Sequence, residues 1–228
     1  MRKNAFTLAE VLITLGIIGV VAAMTLPALI TRNQNKALEA GLKKNYSVIL
    51  QAFEMYQAET GERLLPEATR DGEVENKKIK KQIMPYFKII KDCGYTDTAC
   101  IRFGTRYEHN SKNYKTYSKK DLTQLNLFDD GQFILTDGSL ILLNDSCDTK
   151  KYISVDVNGY IKNPNRWGQD LFTFQLMKDG RILPMGAEGT TYTDKSKYCS
   201  PTSTDPYNGI GCTYYALNDK DYFNNLPR

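Results

Sequence analysis

The sequence predicts an α+β protein in which a long N-terminal helix packs on an antiparallel sheet of about four or five strands. One observation is a nearly unbroken apolar run over residues 6–30 that continues as an amphipathic stretch to about residue 60. The other is a series of short apolar segments, from about residue 125, separated by Asp-Gly and Asn-Gly turns. With 228 residues and 41% hydrophobic content, the chain can form one globular domain besides the helix.

The apolar run is long enough to cross a membrane. As a helix, residues 6–30 would extend roughly 37 Å, against a hydrocarbon core of about 30 Å. Arg2 and Lys3 precede the run, and basic flanks stay on the cytoplasmic side. We therefore expect a single-pass protein whose C-terminal domain is extracytoplasmic.

Glu10 is the unusual residue of this run. A carboxylate inside an apolar span costs about 2.5–3.5 kcal/mol on insertion scales and is rarely kept without a partner. The alternative interpretation is a chance polar residue near the helix end that reaches the membrane surface.

The hexapeptide Ala5-Phe6-Thr7-Leu8-Ala9-Glu10 resembles the prepilin peptidase motif of type IV pilins and type II secretion pseudopilins. The resemblance implies cleavage between Ala5 and Phe6 and N-methylation of the new Phe6 amine. It also implies that Glu10 pairs with that amine in a neighbouring subunit during assembly, and that Pro27 kinks the helix. Ala5 departs from the family, which usually has Gly before the cut.

The same resemblance implies a pilin-like organisation and a structural function. The expected segments are a leader (1–5), a transmembrane assembly helix (6–30), its amphipathic continuation (31–60) and an extracytoplasmic α+β domain (61–228). The expected partners are prepilin peptidase, other pilin or pseudopilin subunits, an assembly platform in the bacterial inner membrane and the lipid bilayer. Such subunits serve secretion, adhesion, motility or DNA uptake.

Two alternatives do not involve polymerisation. An ordinary signal peptide cut after Val21-Ala22-Ala23 would release a soluble protein, but Glu10 and the apolar residues beyond that site argue against it. A membrane-tethered or secreted binding domain remains the second hypothesis.

The amphipathic continuation has apolar residues at steps of three and four, and Gly61 provides a stop near residue 60. Its apolar positions are Leu38, Leu42, Tyr46, Ile49, Phe53 and Tyr56. A polar loop, residues 62–76, follows, and then a second short amphipathic pattern formed by Ile79, Ile83, Phe87 and Ile90.

Lysines surround this second pattern at positions 77, 78, 80, 81, 88 and 91. A basic face of this kind could bind an anionic polymer such as DNA. A solvated lysine face is the favoured interpretation, because no aromatic platform accompanies it and the net charge of +4 is small.

The strand region contains two predicted hairpins. Segments 133–135 and 140–143 flank Asp137-Gly138, and segments 171–177 and 181–183 flank Lys178-Asp179-Gly180. Segment 152–157 alternates before Asn158-Gly159. The tail, residues 186–228, is predicted to be irregular.

Five cysteines without a C-x-x-C pattern favour an oxidising compartment. Cys93 with Cys100, and Cys199 with Cys212, would close short loops, whereas Cys147 is left as a buried thiol or an intermolecular partner. Other pairings stay open on sequence alone.

Oxygen-bearing side chains gather in the segments 156–159, 163–165 and 168–170. Asp156, Asn158 and Asp170 could bind Ca²⁺, which takes carboxylate and amide oxygens from loops. The segment also resembles the acidic loop that holds calcium in major pseudopilins, although it lacks the full EF-hand pattern. Turn formation by Asn-Gly and Asn-Pro would explain the same residues. No other cofactor is expected.

Catalytic motifs are absent from the sequence: it contains no G-x-S-x-G, P-loop, H-E-x-x-H or dinucleotide fingerprint. The lone imidazole, His109, lies in a polar stretch and is interpreted as a surface residue. The sequence therefore predicts a protein that is not an enzyme.

Overall fold

The computed structural model describes residues 7–66, 79–95, 100–101, 114–123, 127–145 and 150–227. Helix α1 runs from Leu8 to Thr60 and ends where Gly61 adopts a positive φ of 80°. The chain divides into two compact units, Met1–Ala37 and Leu38–Arg228, so the boundary lies within α1. The predicted helix end is confirmed.

The part of α1 that belongs to the second unit is amphipathic, as predicted. Leu38, Leu42, Ile49 and Phe53 are buried at helical spacing and join the main hydrophobic core. The ring of Tyr46 stacks on Phe174 of the sheet at 5.0 Å between centroids. Burial of this apolar stripe is the interaction that fixes residues 38–60 on the domain.

The described strands form one antiparallel sheet in which sequence neighbours are also spatial neighbours. The six strands are β1 (Ile89–Gly94), β2 (Gln132–Leu135), β3 (Leu140–Asn144), β4 (Lys151–Asp156), β5 (Leu171–Leu176) and β6 (Ile182–Pro184). Both predicted hairpins are present, as β2–β3 and β5–β6. The described sheet has six strands, one more than the four or five that the sequence predicts.

The additional strand is β1, and the amphipathic pattern at residues 79–90 is helical only over its first part. Helix α2 covers only Ile79–Ile83, and a 3₁₀ turn containing Pro85 follows. Pro85 cannot continue the helix, so the chain becomes extended from Phe87. Phe87 is then buried, whereas Ile90 on β1 is 69% exposed.

Both faces of the central strands are covered. Ile141 and Leu143 of β3 face the core that contains α1, whereas Leu140 and Leu142 belong to a second core with Trp167. This explains why β3 is buried at every position, instead of alternating.

The C-terminal tail is more regular than predicted. It contains helix α3 (Lys195–Tyr198), helix α4 (Cys212–Asn218) and a 3₁₀ turn at Tyr222–Asn224. Helix α4 lies against β5. The tail was predicted to be irregular because these helices are too short to show a 3.6-residue apolar repeat.

Candidate functional site

The predicted N-terminal processing site, Ala5 and Phe6, lies outside the residues that the structure describes, as does the rest of the predicted leader. The described chain begins at Thr7, immediately before α1.

Glu10 takes part in a capping box at the start of α1. Its Oε2 atom accepts hydrogen bonds of 2.8 Å from both the backbone N–H and the hydroxyl of Thr7. The Glu10 N–H in turn donates to the Thr7 hydroxyl oxygen over 3.3 Å. These reciprocal bonds satisfy N–H groups that a helix start otherwise leaves without partners. Glu10 therefore has a role within its own chain in addition to the assembly role predicted for it.

The first part of α1 exposes an apolar surface. Leu8 is 77% exposed and Met24 is 75% exposed, and the large apolar residues between them are also exposed. Within α1, an 18-residue window has a mean hydropathy of 2.3, so length and composition allow this helix to cross a membrane. Pro27 lies inside α1, and the helix continues on both sides of it. Because Pro27 has no N–H, the carbonyl of Ala23 lacks its usual helical donor.

The candidate calcium residues come together at the end of two paired strands. Asp156 is the last residue of β4, and it pairs in register with Leu171, the first residue of β5. Asp170 precedes Leu171, so its carboxyl group is placed near that of Asp156. Both aspartates are completely buried.

We call Asp156 and Asp170 the acid pair, and each of their carboxyl groups accepts hydrogen bonds from fixed donors. The Oδ1 and Oδ2 atoms of Asp170 accept from the backbone N–H groups of Arg166 (2.6 Å) and Asn165 (2.8 Å). The Tyr114 hydroxyl donates to Asp156 Oδ2 over 2.5 Å. The carboxyl groups are thus preorganised by the fold and not by surface side chains.

Two amide oxygens near the acid pair have no hydrogen-bond donor. The Oδ1 atoms of Asn158 and Asn165 are buried and unpaired. The amide nitrogens of the same residues donate to the carbonyls of Asn163 and Tyr160, and the Asn158 side chain also hydrogen-bonds the Asp170 carboxyl group. A buried acceptor without a donor costs about 1–3 kcal/mol, so oxygens left this way need an explanation. A bound cation is one group that satisfies such an oxygen.

The electrostatics of the acid pair favour a positive charge, either a proton or a cation, near the two carboxyl groups. Burial, together with the charge of Asp170, raises the pKa of Asp156 to about 8. Burial also raises the pKa of Asp170, to about 6, although backbone donors oppose the shift. The folded pair therefore retains a proton near neutral pH unless another positive charge replaces it.

The structure brings together all three residues of the predicted calcium set and adds two more. Asn165 supplies a further free oxygen, and Tyr114 orients Asp156. Asn165 belongs to the polar turn at residues 163–165, five residues before Asp170, so this short separation could have identified it from the sequence. Tyr114 gave no signal, because 42 residues separate it from Asp156. Within the described residues, no group of three or more His, Cys, Asp or Glu side chains could hold a metal ion.

Four of the five cysteines form the two disulfides that the sequence suggested. Cys93 and Cys100 form a disulfide with a Cα separation of 5.1 Å, and so do Cys199 and Cys212, at 4.8 Å. Cys147 lies outside the described residues.

One lysine departs from the predicted basic face. Lys80 is buried, where it pairs with Asp92 and donates to the Gly94 carbonyl over 3.0 Å. Lys81, Lys88 and Lys91 are exposed. Lys77, Lys78 and His109 fall outside the described part of the chain.

Comparison with known proteins finds a family match at the N-terminus. Residues 1–26 match the family model described as the prokaryotic N-terminal methylation motif, the signature of type IV pilins and pseudopilins. No curated protein and no solved structure matches the chain. The motif implies processing by prepilin peptidase and assembly with other pilin subunits, and together with the apolar helix it supports membrane anchoring.

Proposed function

We propose that this chain, which carries the N-terminal methylation signature of type IV pilins and pseudopilins, is a structural subunit of a pilus or pseudopilus. Prepilin peptidase removes residues 1–5, and the new N-terminus at Phe6 is methylated. Residues 6–30 hold the subunit in the inner membrane until it polymerises. The observation that carries this proposal is the motif at residues 1–26, which includes the exposed apolar start of α1.

The chemistry on either side of the apolar run supports the proposed orientation. Arg2 and Lys3 favour a cytoplasmic N-terminus. The two disulfides of the domain belong to an oxidising compartment, which lies on the opposite side of the membrane.

Mass spectrometry of the chain purified from membranes tests the processing step. We expect an N-terminal peptide that begins at methylated Phe6. An intact Met1, or a start at Met24 after signal-peptide cleavage, would instead support a tethered or secreted binding domain. Proteins that co-purify with the assembled filament would identify whether it serves secretion, adhesion, motility or DNA uptake.

We also propose that the acid pair and its two asparagines form a structural Ca²⁺ site. The unpaired, buried amide oxygens of Asn158 and Asn165 support this assignment. Two carboxylates and two amide oxygens form the hard, all-oxygen ligand set that Ca²⁺ prefers. Calcium would supply the positive charge that allows Asp156 and Asp170 to be ionised together.

Calorimetric titration of the full chain in detergent with CaCl₂ tests the site. Extracellular calcium modules bind with dissociation constants of about 10⁻⁴–10⁻³ M, and we expect this range. Trp167, the chain's one tryptophan, is buried between Arg166 and Gly168 of the same loop, so it should sensitise the luminescence of bound Tb³⁺. The absence of both signals would refute the calcium assignment.

A further inference from the structure

The loop between β4 and β5, residues 157–170, carries Asp170 and also contacts a distant part of the domain. Asp170 accepts from the backbone N–H groups of Asn165 and Arg166 within the loop. The loop also contacts residues 222–227, which we call the C-terminal segment. Arg166 takes part in both.

Arg166 is 5% exposed. Its guanidinium group donates to the side-chain oxygen of Gln169 over 3.2 Å and to two backbone carbonyls from distant parts of the sequence. Its Nη1 atom donates to the carbonyl of Pro227 over 3.0 Å. Its Nε and Nη2 atoms donate to the carbonyl of Tyr117 over 3.1 and 2.6 Å. The guanidinium group therefore joins the loop to the C-terminal segment.

A second contact links the same loop and segment. The Tyr222 hydroxyl donates to the Gly168 carbonyl over 2.6 Å, two residues before Asp170. The ring of Tyr222 stacks on Tyr117 at 6.3 Å, and Phe223 packs on Phe172 at 6.1 Å. The C-terminal segment is thus docked on the loop that carries the acid pair.

The stretch around Tyr114 provides a further connection between the two sides. Tyr114 binds Asp156, whereas Tyr117, three residues later, binds Arg166. Lys115 bonds to the loop at both of its backbone groups, with Asn165 O at 2.9 Å and Trp167 N at 3.0 Å. Contiguous hydrogen bonds therefore connect both aspartates to Arg166, through its own backbone and through this stretch.

We propose that cation binding at Asp156 and Asp170 and docking of the C-terminal segment are mutually dependent, with Arg166 as the positioning residue that couples them. The inference rests on the proposed calcium site. A cation between the two carboxyl groups would add a bond to Asp170 and so restrict the turn at Asn165 and Arg166, whose backbone N–H groups bind the same carboxyl group. With this turn fixed, the guanidinium group is held where it binds Pro227.

Thermodynamic linkage makes the coupling reciprocal. Undocking of the C-terminal segment must weaken Ca²⁺ binding by the same factor by which loss of Ca²⁺ weakens docking of the segment. On the proposed orientation, the segment would dock after the domain reaches the calcium-containing side of the membrane. The C-terminal segment would then be presented differently before and after export.

Hydrogen exchange read by mass spectrometry tests the coupling on the full chain in detergent, with CaCl₂ as the probe. The N–H groups of Tyr222, Asn224 and Asn225 make backbone hydrogen bonds, so their protection reports docking. We expect CaCl₂ to raise their protection by about five- to tenfold. The Arg166→Gln variant keeps the backbone N–H that binds Asp170. In this variant CaCl₂ should no longer change the protection of the C-terminal segment.

Two further variants complete the test. A chain that ends at Asp221 lacks the whole segment and should bind Ca²⁺ about five- to tenfold more weakly, with β4 and β5 still protected. Arg181→Gln, a change at an exposed arginine of the β5–β6 hairpin, is the control and should behave as the unmodified chain.

The outcomes separate this inference from the calcium site itself. If CaCl₂ binds the unmodified chain, the Arg166→Gln chain and the shortened chain equally, the coupling is refuted and the calcium site stands. If CaCl₂ does not bind the unmodified chain, both proposals fail. Unchanged protection of the segment at saturating CaCl₂ also overturns the coupling.

Discussion

Thr7 and Glu10 close the first turn of α1 with reciprocal hydrogen bonds, two of them 2.8 Å long. The same carboxylate is the one predicted to pair with the N-terminal amine of a neighbouring subunit. Capping requires only a hydrogen-bond acceptor at position 10, whereas pairing with an amine requires a charge. Substitutions can therefore separate the two roles.

Glu10→Gln is expected to keep the subunit in the membrane but to reduce its incorporation into filaments by at least about tenfold. Glutamine is an equally common partner in a capping box, so the change removes the charge and retains the cap. Thr7→Val is the complementary change. It removes the capping hydroxyl at a cost of about 1 kcal/mol to the helix start and should leave incorporation nearly unchanged. The subunit content of sheared filaments measures both, and normal incorporation of Glu10→Gln would contradict the pairing role.

The stability of the calcium-free chain should fall as the pH rises from about 4 to about 8. The pKa values of Asp156 and Asp170 are raised to about 8 and about 6 in the folded state, above the usual 3.8. The folded chain therefore binds more protons than the unfolded chain in this interval, which costs about 1.4 kcal/mol per pH unit for each excess proton.

Thermal unfolding in EDTA, followed by Trp167 fluorescence, measures this dependence. Millimolar CaCl₂ should restore stability increasingly as the pH rises from about 6 to above 8, because the folded carboxyl groups lose their protons over this interval. A calcium-free chain that becomes more stable between pH 5 and pH 8 would show that the acid pair is not the dominant titrating group.

Asp170→Asn should abolish calcium binding, because it removes one of the two carboxylates of the proposed ligand set. The amide nitrogen cannot accept one of the backbone N–H groups that Asp170 accepts, so the calcium-free chain should also lose about 1–3 kcal/mol of stability. Asn165→Ala should weaken calcium binding by about tenfold or more and leave the acid pair in place. Asp179→Asn, at an exposed aspartate of the β5–β6 turn, is the control and should bind calcium normally. Isothermal titration with CaCl₂ compares the three, and normal binding by Asp170→Asn would exclude it as a ligand.

Gly159→Ala should destabilise the domain far more than Gly138→Ala. The two glycines have similar positive φ angles, 80° and 89°, so the backbone strain on substitution is alike at about 1–2 kcal/mol. A Cβ atom at Gly159 would lie 2.4 Å from the Gly138 carbonyl oxygen, whereas a Cβ atom at Gly138 meets nothing within 4 Å. We expect a cost above about 3 kcal/mol for Gly159→Ala in denaturant unfolding. Equal losses for the two variants would contradict the close approach of the two turns.

Features that depend on neighbouring residues were predictable from the sequence. The span of α1 and its end before Gly61 follow from apolar spacing and from one glycine with positive φ. The turns at Asp137-Gly138 and at Asp179-Gly180 likewise fixed both hairpins. Strand β1 was not predictable in this way, because its partner β2 lies about 40 residues along the chain and Pro85 alone marks the change from helix.

The N-terminal signature, the membrane-compatible helix and the residues Asp156, Asn158 and Asp170 could all be identified from the chain alone, because each rests on residue type and local spacing. How those residues meet depends on the folded domain. Tyr114 reaches Asp156 across 42 residues, and Arg166 reaches Pro227 across 61. Contacts at such separations are set by sheet register and by packing of the C-terminal segment, and no local pattern in the chain encodes them.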